Sequence, residues 1–104
     1  MASPMRIRAT EKNGLVDVKM LMKHIMETGQ RKDGDGNVIP AWYIETVQAQ
    51  VGGKSVFRAQ FGPAVSKDPF LHFVLDQVAS KGDEITITWK DNKGESRTDS
   101  TKIR

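Results

Sequence analysis

The stretch Glu84–Lys90, EITITWK, alternates without a break: Ile85, Ile87 and Trp89 share one parity, and Thr86, Thr88 and Lys90 the other. Successive side chains of an extended chain point to opposite faces, so this run is a strand with one dry face and one wet face. β-Branched and aromatic residues suit such a surface. Trp89 shares the face of Ile85 and Ile87 and is expected in the core.

The same period of two recurs on both sides. Downstream, Asp91–Gly94 has turn chemistry, and Ser96–Arg104 reads as a polar, charged last strand suited to an edge. Upstream, Ser80–Asp83 is a turn, and Pro69–Asp76 (PFLHFVLD) is apolar on both parities. Such a strand is either covered on both faces or lies near an interface. Gly62–Asp68 breaks the pattern, and Ser55–Phe61 sets Phe57, Ala59 and Phe61 against Arg58 and Gln60. Gly52-Gly53 marks a tight hairpin after Ala41–Val51. In that strand Trp42 and Ile44 fall on one parity, and Tyr43, Val47, Ala49 and Val51 on the other, so Trp42 and Tyr43 cannot both face one core. Leu15–Ile25 places Val16, Val18, Met20 and Met22 together, and Lys12-Asn13-Gly14 turns it back to Met5–Ala9. Met1–Pro4 is read as a disordered tail on an otherwise single domain.

Seven short strands with turn signals between them, and no sustained helical period, predict an all-β, immunoglobulin-like antiparallel β-sandwich. The one irregular connection is His24–Pro40, HIMETGQRKDGDGNVIP. Connections beyond about 12–15 residues are uncommon in compact domains unless they have a function or are disordered. This one is polar in the middle and apolar at both ends, as a segment read by another molecule would be.

The totals limit the chemistry. The chain has 104 residues and no cysteine, which removes disulfides, thiol catalysis and cysteinyl metal sites. Its net charge of +3 comes from sixteen Lys and Arg interleaved with thirteen Asp and Glu, without the basic stripe of a nucleic-acid binder. No run approaches the ~18 apolar residues of a membrane span. MASPMRIRAT lacks the apolar region of a secretory signal, so the chain is expected to carry no address of its own.

His24 and His72 are the only histidines, and a catalytic metal site generally takes three protein ligands. Both are expected to be partly exposed strand residues. A metal enzyme built on them is the weakest of three functional readings. Asp33-Gly34-Asp35-Gly36-Asn37 opens like a calcium loop, but the sixth position is Val38 and the twelfth Ile44, where glycine and a bidentate glutamate are required. A turn capped by its own Asp and Asn side chains is expected instead. No catalytic motif is present, and no cofactor is expected.

Met26-Glu27-Thr28-Gly29-Gln30-Arg31-Lys32-Asp33, then Gly36 and Val38-Ile39-Pro40, resemble the SoxZ family. So do Val56-Phe57, Pro63-Ala64-Val65-Ser66, Asp68-Pro69-Phe70, Ile87-Thr88-Trp89 and Asp91-Asn92-Lys93-Gly94. The likeness runs from about Arg6 to Arg104, and its most specific part is the 26–40 segment. It implies an immunoglobulin-like sandwich paired as a heterodimer with SoxY, whose cysteine-bearing arm carries sulfur intermediates in thiosulfate oxidation. SoxZ would be the non-carrying, non-enzymatic subunit, in transient contact with other Sox enzymes and able to pair with itself when isolated. It would be periplasmic, exported with a signal-bearing SoxY. On this reading the partner-binding residues are Met26, Glu27, Gln30, Arg31, Lys32, Ile39, Pro40, Trp42, Tyr43 and Phe70. The remaining reading is a stand-alone immunoglobulin-like protein-binding domain with no part in sulfur chemistry.

Overall fold

The computed structural model describes residues 2–104, so of the expected tail Met1 lies outside the described residues. Seven strands follow in order: β1 (Arg6–Lys12), β2 (Leu15–Leu21), β3 (Ile44–Val51), β4 (Lys54–Gln60), β5 (Phe70–Asp76), β6 (Glu84–Asp91) and β7 (Ser96–Lys102). They form two antiparallel sheets, β1-β2-β5 and β4-β3-β6-β7. This is an immunoglobulin-like sandwich in which the fourth strand lies beside the third.

The expected parities hold where pairing is regular. Val16, Val18 and Met20 of β2 and Ile85, Ile87 and Trp89 of β6 are all at most 1% exposed, and together they form the centre of the core. In β3 the parity breaks: Ile44 and Val47 are both buried although an odd number of positions separates them. A register shift between Ile44 and Thr46 against β6 accounts for this. A bulge adds one residue and turns the following side chains over.

Three strand limits differ from expectation by three residues or more. β1 runs on to Lys12 rather than ending at Ala9, because Thr10, Glu11 and Lys12 continue the ladder with β2 up to the turn. β2 stops at Leu21 rather than Ile25, because its partner runs out. The Met22 N–H still donates to the Pro69 carbonyl at 2.9 Å, but Pro69 has no N–H to return and Asp68 has a φ of 51°. β3 begins at Ile44 rather than Ala41, because the chain before it pairs within its own connection through an isolated Glu27–Trp42 bridge.

One side of the sandwich is closed. The Glu11 N–H donates to the Arg104 carbonyl at 2.7 Å, and the Arg104 N–H to the Ala9 carbonyl at 3.0 Å, fastening β1 to the chain beyond β7. Arg97 and the Met5 N–H both bond Asp99. The Arg97 hydrogen bond holds the Asp99 carboxyl below its usual range against partial burial. On the other side β4 and β5 are open edges, bridged inside by Phe57 and Phe73 stacked at 3.9 Å.

Candidate functional site

The 24–40 connection folds back on itself. Its Glu27–Trp42 and Lys32–Val38 bridges make a narrow hairpin whose tip is Asp33–Asn37. The Asp33 carboxylate accepts the N–H groups of Asp35 and Asn37 at 2.9 and 3.0 Å, so the tip is the self-capped turn that the residues predicted. Every residue from Gln30 to Val38 is exposed.

The base of the hairpin is built around a buried carboxylate whose two oxygens are both hydrogen-bonded. The Asp91 side chain is 0% exposed. One carboxylate oxygen accepts His24 Nε2–H at 3.0 Å and Trp42 Nε1–H at 2.8 Å. The other accepts the N–H groups of Lys93 and Glu95 at 3.0 and 2.9 Å. His24 Nδ1 receives the Met26 N–H at 3.1 Å, which makes Nδ1 the acceptor and puts the ring proton on Nε2, facing Asp91. His24 also meets Trp42 and Trp89 edge-on, at 5.4 and 5.2 Å between centroids. It is therefore not the partly exposed strand histidine expected from sequence: with β2 ended at Leu21, the chain turns His24 inward, to 7% exposure. His72 is exposed as expected, and pairs with Asp17 at 2.6 Å. The two histidines that a metal site needed together are each held by a different carboxylate.

Asn92 completes the anchorage. Its side chain accepts the Tyr43 N–H at 2.9 Å and donates to the Ala41 carbonyl at 2.8 Å. Lys93 Nζ lies 4.2 Å above the Trp42 ring, a favourable cation–π position. Gly29 lies against Ala41 with a φ of 87°, where a Cβ would come 3.0 Å from the Ala41 Cβ. Only glycine meets both demands there.

Of the residues named from sequence, nine fall in or beside this hairpin. Met26 is in the core with a φ of 53°, its sulfur accepting the Ile44 N–H at 3.3 Å. Glu27 is buried and holds the exposed Arg31 through Nε and a terminal nitrogen at 2.8 and 2.7 Å. The Glu27 hydrogen bond and charge raise the Arg31 pKa further. Met26 and Glu27 thus act on the surface through what they position. Gln30, Arg31, Lys32 and Pro40 are exposed, and Ile39, Trp42 and Tyr43 half-buried. Among the described residues Lys32 forms no ion pair within 4.0 Å. Phe70 stands apart, 63% exposed on the outer face of β1-β2-β5.

Sequence reasoning missed Asp91 and Asn92 as anchors. Their turn role was legible, since Asp favours the first position of such a turn and Gly the fourth. Their bonds to His24, Trp42 and Tyr43 span a sequence distance no local pattern encodes.

Burial disfavours the charged Asp91 carboxyl, but the hydrogen bonds from His24, Trp42 and the Glu95 and Lys93 amides outweigh it and hold the pKa below the usual value. A lowered folded-state pKa adds stability above the unfolded value, about 3.9 for Asp, which is lost as pH falls through the folded value. Asp99 acts in the same direction. The melting temperature is therefore expected to hold from pH 7 to about 5 and fall below about 4, with a shallower acid limb in Asp91→Asn; thermal melts across pH 2–7 check this.

Comparison with known proteins completes the picture. The family model described as sulphur oxidation protein SoxZ matches residues 5–102. No curated protein matches the sequence. The match spans nearly the whole sandwich and takes in both the hairpin and the Asp91–Gly94 turn that anchors it, so the chain belongs to the SoxZ family, and its role lies in sulfur oxidation.

Proposed function

We infer that this chain is the non-enzymatic partner subunit of a sulfur-carrier complex. It pairs with SoxY, stabilises it, and helps present its cysteine-bearing arm to the enzymes of thiosulfate oxidation. A cysteine-free sequence suits the subunit that does not hold the sulfur. The reading places the complex in the periplasm, the chain travelling there folded with a signal-bearing SoxY.

The observation that carries the reading is the hairpin: exposed Arg31 and Lys32 on the arm below a self-capped turn, above a base with a fully bonded carboxylate. Rigid presentation lowers the cost of ordering a recognition element on binding. Arg31 and Lys32 suit an acidic protein surface or the anionic sulfur oxyanions of the carrier arm. Arg31 is already engaged by Glu27, so Lys32 is the freer charge.

Lys32→Glu separates recognition from folding. In a reconstituted thiosulfate-oxidising system it is expected to slow turnover severalfold, while the unfolding free energy stays within about 0.5 kcal/mol of wild type, as for a surface change. Arg31→Glu is a poorer probe, because it sets a second carboxylate against buried Glu27. Unaltered turnover in Lys32→Glu would make the hairpin a structural element only.

A further inference from the structure

The outer face of β1-β2-β5 has a composition that solvent alone does not explain. Pairing register sets Arg6, Leu21 and Phe70 in one row and Arg8, Lys19 and His72 in the next. Thr10, Asp17 and Val74 follow, then Lys12, Leu15 and Asp76. The exposed apolar residues are Phe70 and Val74 of β5 and Leu15 of β2, 63%, 53% and 44% exposed, with His72 and Asp76 as the polar members of the β5 row. The β1 side is basic. Arg6, Arg8, Lys12 and Lys19 face only Asp17 and Asp76, and Asp17 is already paired with His72. A groove of about 290 Å³ runs between Arg6, Arg8, Lys19, Leu21 and Phe70, joining the two halves.

The adjoining edge is equally unguarded. β5 pairs only with β2, and from Phe70 to Leu75 it has no Asp, Glu, Lys or Arg. The other open edge, β4, carries Lys54 and Arg58, the usual means of discouraging strand pairing.

We propose that this face is the docking surface for a different protein, one bringing an apolar patch bordered by carboxylates. Charge selects that occupant over a second copy of the chain. Two copies stacked β1 over β1 would set Arg6, Arg8, Lys12 and Lys19 near the same four residues, where like charges suppress pairing, and stacked β1 over β5 would set those cations over a strand whose outward residues bring only Asp76 to meet them. An acidic border meets them, while Phe70 supplies the aromatic anchor typical of interface centres. The hairpin then remains free for a second contact. Identifying the occupant with SoxY rests on the function proposed above; the chemistry of the face does not.

The test uses SoxY from the same source, titrated calorimetrically with the full chain at low and high salt. Phe70→Ala is expected to weaken binding roughly 30-fold or more, as an interface anchor does. Arg8→Glu combined with Lys19→Glu should weaken it at low salt and remove most of the salt dependence. All three positions are exposed, so melting temperatures should stay near wild type, and Arg58→Glu on the distant β4 edge should bind SoxY as wild type does. Equal binding by wild type and the face variants would overturn this surface while leaving the SoxY pairing intact. No binding by the unaltered chain would overturn both. A dimer of the chain alone that Phe70→Ala dissolves would assign the face to a second copy and overturn the proposal.

Discussion

Asp91→Ala is expected to lower the unfolding free energy by about 3–5 kcal/mol, the scale of removing one partner from a buried charged network. Four donors converge on this carboxylate: His24 Nε2–H, Trp42 Nε1–H and the amides of Lys93 and Glu95. Each donor left buried without an acceptor costs about 1–3 kcal/mol, and water entering the vacated space recovers part of that. A domain of this size holds about 5–15 kcal/mol in all, so the melting temperature should fall by more than about 12 °C. Asp91→Asn should lose nearly as much, because its NH₂ must face two of the four donors. The hairpin should loosen first, which hydrogen exchange at residues 26–42 would report ahead of the core strands. A loss under about 1 kcal/mol by denaturant titration would mean that the site rehydrates freely and anchors nothing.

Trp89→Ala should be comparably severe, at about 3–5 kcal/mol. Trp89 is the largest fully buried side chain, and its ring packs edge-on against His24. Truncation opens a cavity among Ile85, Ile87 and the facing sheet, and also removes the wall behind the hairpin base. Trp89→Phe makes the informative contrast. The Trp89 indole N–H is buried without a hydrogen-bond partner, an unfavourable state that phenylalanine relieves. The lost volume and the relieved donor oppose one another, so Trp89→Phe should cost less than about 2 kcal/mol. Equilibrium denaturation of the two variants side by side measures both. Equal losses would show that ring volume, rather than the mere presence of a ring, sustains the site.

The fold was legible because its strongest signals are local. EITITWK in β6 and the Val16, Val18, Met20 parity in β2 need only the two-residue period of an extended chain, and both faces fell where that period put them. The period fails where the backbone leaves it. One extra residue between Ile44 and Thr46 buries both Ile44 and Val47, and Asp68-Pro69 ends the β2–β5 ladder early. The first sign of a bulge is the ladder itself, which is a property of two strands and not of one.

The hairpin divides along the same line. Its length, polar middle and self-capped Asp33–Asn37 turn could be read directly, and its residues lie within the stretch that the SoxZ family model matches. That Glu27 lies buried beneath Arg31 could not be read, nor that His24 turns inward to Asp91. By itself, then, the sequence determined an antiparallel β-sandwich, membership of the SoxZ family and the position of an unusual connection, since periodicity and motif are written in neighbouring residues. Only the tertiary structure decided that the connection is a firmly held hairpin and that Phe70 belongs to a separate basic and apolar face. Both depend on residues far apart in the chain: Asp91 closes over His24 and Trp42, and three strands align their outward side chains in register.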